Sequence, residues 1–191
     1  MSKKKITLIL IPVVALILLV TLFIYNSSTF TIENNDKVIK YKIEAFISRG
    51  TSPESKINIK NKIQIENVKI VSFDISSSKG NSFGYCVLTK SAFINKFKIN
   101  YVRYGTGLID LPVISTKNGK YLVAIGEQYS KKATYVKVKL NDNNYTFDIT
   151  SPYCILHKKV PNNTSTSEVA DFTFYDKNEK EIPYSDIMEK L

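Results

Sequence analysis

The sequence predicts a mainly β protein. One N-terminal transmembrane helix precedes an extracytoplasmic domain, built as an antiparallel β-sandwich or an open-barrel-like sheet. Three observations carry this prediction. Residues 6–25 form an apolar run without a charge. Beyond residue 36, apolar and polar residues alternate with period two. Clusters of Gly, Asn, Asp and Ser interrupt that alternation at short intervals.

The apolar run reads ITLILIPVVALILLVTLFIY. As a helix it is about 30 Å long, the thickness of a bilayer's hydrocarbon core. Lys3, Lys4 and Lys5 precede it, and the next basic residue is Lys37. That asymmetry predicts a cytoplasmic N-terminus with the rest of the chain outside. Pro12 is tolerated in a membrane helix. The rival reading is a cleaved signal peptide, whose apolar core is shorter and ends at a small-residue site. Here the exit is Tyr25-Asn26-Ser27-Ser28, which favours an uncleaved signal-anchor. The expected organisation is a basic cytoplasmic flank (1–5), the anchor (6–25), a polar spacer (26–36) and the β domain (37–191). Eight to ten spacer residues would reach at most ~30–35 Å.

In the domain, KINIKNKIQIE (56–66) sets Ile57, Ile59, Ile63 and Ile65 on one face of a strand, with polar residues opposite. The phase slips after Glu66, so a bulge or turn is expected near Asn67. Further strands are expected at 41–47, 68–75, 85–90, 97–104, 111–116, 120–127, 134–140, 144–149, 153–158 and 171–176. Asn118-Gly119 is the strongest hairpin signal, and Asp142-Asn143-Asn144 offers a second. In this domain a helix is expected at 184–191, with Ser185 as the candidate N-cap, and SPES (52–55) or KSAFINK (90–96) could make a helical turn. Short strands with frequent turns indicate antiparallel architecture rather than βαβ units.

The formal net charge is +10. It is concentrated: residues 37–139 hold 19 basic and 6 acidic side chains, whereas 140–191 hold 5 and 9. Outside a cell, such a basic region fits anionic lipid, anionic cell-wall polymer or another envelope protein, and not nucleic acid. The alternative is that scattered lysines keep strand faces soluble and edges unpaired.

YCILHK (153–158) holds the single His and one of two Cys. On a strand, Cys154 and His157 point to opposite faces and cannot close on one metal ion. A metal also wants three or four ligands. No metal, cofactor or catalytic residue is therefore expected. Cys86 and Cys154 would both lie in an oxidising compartment, so they are either a disulfide or two separate buried thiols. Gly105-Thr106-Gly107 is followed by another apolar strand pattern rather than a helix, and reads as a turn. Asp110 and Glu127 stand alone in the basic region, with no spacing that makes an acid/base pair.

Tyrosine offers a flat ring and a polar tip, and 12 Tyr occur with no Trp. The candidate binding face gathers Lys96, Lys98, Tyr101, Arg103, Tyr104, Lys131 and Lys132. The layout resembles membrane-anchored β proteins of low-GC Gram-positive bacteria; that is a likeness of layout and carries no site residues. The expected role is a non-enzymatic, membrane-anchored binding domain at the cell envelope. The alternative is an accessory or inhibitory subunit of a membrane assembly.

Overall fold

The computed structural model describes residues 3–49, 56–77, 80–105, 109–127, 133–149, 151–167 and 171–188. The fold is mainly β, with a curled antiparallel half-barrel sheet and one N-terminal apolar helix. Helix α1 runs over Lys3–Thr29 and continues through Pro12. It is long and apolar enough to cross a membrane, by length and composition. Its large side chains from Val13 to Tyr25 are exposed, so it is not a core helix of this fold.

The segment expected as a spacer is ordered. Asn26 is buried against the domain, β1 (Ile32–Glu33) pairs with a strand of the sheet, and α2 (Asp36–Ile47) follows at once. The strand expected at 41–47 is therefore a helix. Asn35 caps it, its side-chain oxygen accepting the N–H groups of Lys37 and Val38 at 2.9 and 3.5 Å. Ile39, Ile43 and Ile47, four apart, form its buried stripe.

The first sheet contains β2 (Lys56–Ile65), β3 (Val68–Ser77), β4 (Gly80–Lys90) and β5 (Lys96–Tyr104) in the order β1-β5-β4-β3-β2. The second contains β6 (Ile109–Asp110), β7 (Val113–Thr116), β8 (Gly119–Glu127) and β11 (Tyr153–Val160). The third contains β9 (Tyr135–Leu140), β10 (Asn143–Asp148), β12 (Asp171–Tyr175) and β13 (Glu181–Ile182). A short helix, α3 (Tyr184–Met188), closes the described chain, with Ser185 inside it rather than at its cap.

Three apolar clusters stack these elements. The α2 stripe packs with Ile57, Val71, Phe73, Cys86, Leu88 and Phe97 on one face of the first sheet. The opposite face, with Ile70, Phe83, Tyr85 and Val87, meets Val123, Ile125 and Ile155 of the second. Leu122, Ala124 and Cys154 point the other way, onto Val136, Val138, Phe147 and Phe174 of the third. Strand β8 is thus buried on both faces, which explains its unbroken apolar run YLVAIG. The expected antiparallel sandwich or open-barrel-like sheet is met in part: the β structure is antiparallel and curls as a half-barrel, but it stacks as a helix and three sheets in succession.

Bulges set which face each strand end presents. The β2–β3 register slips between Ile59 and Asn61. Ile57 and Ile59 therefore face α2, whereas Ile63 and Ile65 face the second sheet; the four isoleucines do not share one face. Both expected hairpins form, one residue earlier than their turn signals suggest. Thr116 pairs with Gly119 and Leu140 with Asn143, so the two-residue loops are Lys117-Asn118 and Asn141-Asp142.

Tertiary contacts select the first of these. The β2–β3 turn, Glu66-Asn67, docks on it. The Glu66 carboxylate accepts the Asn118 N–H at 2.8 Å and the Tyr121 hydroxyl at 3.0 Å, and Asn67 Oδ1 accepts the Lys117 N–H at 2.8 Å. Partial burial alone would raise the Glu66 carboxyl, but the Asn118 N–H and the Thr116 and Tyr121 hydroxyls hold it below its usual value. A depressed carboxyl contributes stability that is present above about pH 4.3 and is lost as pH falls through the folded value. Glu66→Gln is expected to lower the melting temperature at pH 7. The gap to wild type should narrow as pH falls below about 4.3 and close once pH has passed the lowered folded-state value, where both side chains are neutral. Thermal scans across pH 3–7 check this, and a gap independent of pH would refute it.

Candidate functional site

Strand β5 has an open outer edge. Strand β1 covers only Lys96 and Phe97, and among the described residues nothing pairs along 98–104. A concavity of about 820 Å³ lies beside that edge. Its far wall is the β6–β7 segment, which is the outer edge of the second sheet, and Thr166, Ser167 and Phe172 contribute from the third-sheet side.

The second bulge of the first sheet aims side chains into this cleft. Opposite Val87 and Leu88, β5 presents Tyr101 and Ile99, so Asn100 is the extra residue. Its amide donates to Thr89 Oγ1 at 2.6 Å, which fixes the bulge. Phe97 and Ile99 precede the bulge and face α2; Tyr101 follows it and packs with the opposite cluster. Without the bulge, Tyr101 and Arg103 would continue the α2-facing set.

Asp110 ties the cleft together. Its Oδ2 accepts the Tyr85 hydroxyl at 2.7 Å and Arg103 Nη1 at 3.1 Å, and its Oδ1 accepts the Leu111 N–H at 2.9 Å. The Tyr85 ring is fully buried and meets Tyr101 edge-to-face at 6.2 Å. Burial pushes the Tyr85 phenol well above its usual value, and the hydrogen bond to Asp110 adds to this. Burial likewise raises Tyr101. Arg103 is pushed further up, first by its hydrogen bond to Asp110. Arg103 remains 60% exposed, so its guanidinium is held by Asp110 through Nη1 while the rest of it faces the rim.

The expected binding face is therefore divided. Tyr101 and Arg103 line the cleft together. Lys96 and Lys98 lie at the other end of β5, where Lys98 sits over the Phe30 ring at 5.3 Å. Tyr104 pairs with Gly84 on the α2-facing side, away from Tyr101 and Arg103. Lys131 and Lys132 lie outside the described residues. The face reading missed Asp110, Tyr85 and Asn100. One signal was present: Arg103 and Asp110 flank the Gly105 turn, where Gly105 takes a φ of +70°, so the chain returns one to the other.

The Cys154–His157 pair alternates as a strand requires. Cys154 is buried against the third sheet, while His157 is exposed and lies edge-on to Tyr121 at 5.6 Å. Among the described residues no group of three His, Cys, Asp or Glu gathers around a common point. Cys86 and Cys154 are both free and occupy different apolar clusters, one beside α2 and one beyond the second sheet. Two sheets stand between those clusters, so the disulfide alternative is not the arrangement formed. Burial raises both thiols, as expected of inert apolar side chains.

A second polar group joins the first two sheets. Lys60 is the bulged residue of β2, pairs with Asp74 at 2.8 Å and lies 4.7 Å over the Tyr153 ring. Its ammonium is held charged, first by the Asp74 hydrogen bond. It reads as a clamp. Searches of family models, characterised proteins and solved structures for likeness to this chain find no match.

Proposed function

We propose that this protein is a single-pass, membrane-anchored binding domain of the cell envelope, non-enzymatic, which captures an extended segment of another envelope protein on the open edge of β5. The observation that carries the reading is that edge itself: the outer side of β5 has no strand partner along 98–104 among the described residues, and it borders a cleft of about 820 Å³. A sheet edge offers backbone donors and acceptors to an added strand, and adjoining pockets select its side chains. Ile109, Leu111 and Phe172 supply apolar wall, and Arg103 supplies a cation for an acidic or C-terminal carboxylate group. Asp110 is occupied by three donors, which suits it to holding Arg103 in place rather than to moving protons.

Anchoring is supported by α1. Large apolar side chains cost about 1.5–3 kcal/mol each when left in water, and α1 exposes them continuously from Val13 to Tyr25. The three N-terminal lysines support a cytoplasmic N-terminus with the domain outside. Strand β5 starts beside the segment that follows α1, where β1 pairs with Lys96 and Phe97. At about 3.3 Å per residue, Arg103 lies roughly 23 Å along the strand from Lys96. The cleft residues Tyr101 and Arg103 then lie toward the far end of the strand from that segment, within reach of other envelope proteins.

The test places a photo-crosslinking amino acid at Thr166, an exposed residue lining the cleft, in the full chain in cells. Crosslinks should map by mass spectrometry to one extended segment of an envelope protein. A synthetic peptide of that segment should bind the full chain in nanodiscs and lose at least tenfold in affinity with Arg103→Glu. Crosslinks to wall polymer alone, or peptide binding indifferent to Arg103, would refute the reading.

A further inference from the structure

We infer that the β4–β5 turn, residues 91–95, is a second contact with the bilayer, through which the Phe93 ring enters the interface beside α1. The inference rests on the reading of α1 as a membrane span.

Phe93 is 71% exposed, more than any apolar side chain described on α1, where Leu19 reaches 64%. A solvent-facing turn gains nothing from a phenyl ring in that state, whereas an interface accepts an aromatic ring readily. The turn is also fixed in place. The Ser91 hydroxyl accepts the Phe93 and Ile94 N–H groups at 3.1 and 3.3 Å and donates to Asn26 Oδ1 at 2.9 Å. Ser91 and Asn26 are both buried, and the Asn26 amide donates in turn to the Leu22 carbonyl at 3.0 Å. The turn is thereby locked to the last turns of α1.

The depth follows from the sequence. The charge-free run ends at Tyr25, so the hydrocarbon boundary falls next to Asn26. Ser91 lies at that level because it bonds Asn26, and Phe93 projects two residues away. The ring thus continues the apolar surface of α1 at the edge of the bilayer. Lys90 and Lys96 flank the turn, and no carboxylate among the described residues forms an ion pair with either. They suit anionic head groups at the same boundary. Two points of attachment, a helix and a turn, would hold the domain at one tilt, where a single helix with a loose spacer would let it swing.

The chain has no Trp, so a single substitution installs a unique fluorophore. Phe93→Trp and, separately, Leu19→Trp are made in the full chain. Each is reconstituted in vesicles of phosphatidylcholine and phosphatidylglycerol whose acyl chains are brominated near the head group. Phe93→Trp is expected to emit blue-shifted light and lose most of its intensity to the brominated lipid, with little quenching by aqueous iodide. A red-shifted, iodide-quenched Phe93→Trp alongside a lipid-quenched Leu19→Trp would overturn this inference and leave the anchor standing. Absence of lipid quenching in both would overturn the anchor and the inference together. The turn tip is exposed, so neither ring should disturb the fold.

Discussion

Gly84→Ala is expected to destabilise the domain by about 1–3 kcal/mol, the usual cost of forcing atoms into a filled site. Gly84 sits inside β4, opposite Phe73 on one side and Tyr104 on the other. A Cβ there would come within 2.6 Å of the Arg103 carbonyl oxygen, 2.9 Å of Tyr104 Cβ and 3.0 Å of Phe73 Cε2. Contacts this short force something to move. The Phe73 ring is the softest of the three, but the nearest atom is backbone. Moving it displaces the end of β5 from β4, where the Gly105 N–H holds the Phe83 carbonyl at 3.0 Å. Strand glycines of this kind mark close backbone approach. Because Arg103 is the residue displaced, the substitution should also weaken its pairing with Asp110 and reduce binding at the cleft. Denaturant titration of the full chain measures the first effect. Adding Phe73→Leu tests the mechanism: it should not restore stability, since the carbonyl rather than the ring is the obstacle. An unchanged midpoint for Gly84→Ala would refute the argument.

Strands β3, β5, β8 and β11 are legible in the sequence because each alternates or runs apolar between turn residues. What escaped is the direction their side chains take. The first sheet is buried on both faces, so a bulge at Lys60 or Asn100 moves an apolar residue from one core into another. The period of two continues across the bulge, and the pattern carries no sign of the inversion. The cleft was hidden for that reason. Tyr101 and Arg103 look like the continuation of the Phe97 and Ile99 face, yet the bulge at Asn100 turns them away from α2 and into the cleft. Asp110 looked isolated because its partners, Tyr85 and Arg103, are 25 and 7 residues away. Turn positions moved by one residue at Asn118 because Glu66 and Asn67 supply acceptors that no local propensity encodes. The Cys154–His157 geometry, in contrast, needed only strand alternation and was legible in full.

Helix α2 is the element where two periods competed, and a pair of substitutions separates them. Tyr41, Ile43, Ala45 and Ile47 satisfy a strand; Ile39, Ile43 and Ile47 satisfy a helix. In a strand, Tyr41 and Ile43 share a face and should matter alike. In the helix they diverge: Ile43 is fully buried against the first sheet, and Tyr41 is 65% exposed. Ile43→Ala is expected to cost about 2–5 kcal/mol, because it opens a cavity among Phe73, Leu88 and Phe97 that backbone ladders cannot close. Tyr41→Ala should stay within about 0.5 kcal/mol of wild type. Denaturant midpoints of the two variants in the full chain decide the matter, and comparable losses would restore the strand. The stake extends past local structure. Glu44 accepts the Ile57 N–H at 3.0 Å, and β1 joins α2 to β5, so α2 couples the segment after α1 to both ends of the first sheet. Loosening α2 should therefore free α2 and β1 before the rest of the sheet gives way, while the Ser91–Asn26 bond still holds the β4–β5 turn to α1. Amide exchange in Ile43→Ala would show this as early loss of protection at residues 36–47 and in β1, while β8 and β11 remain protected.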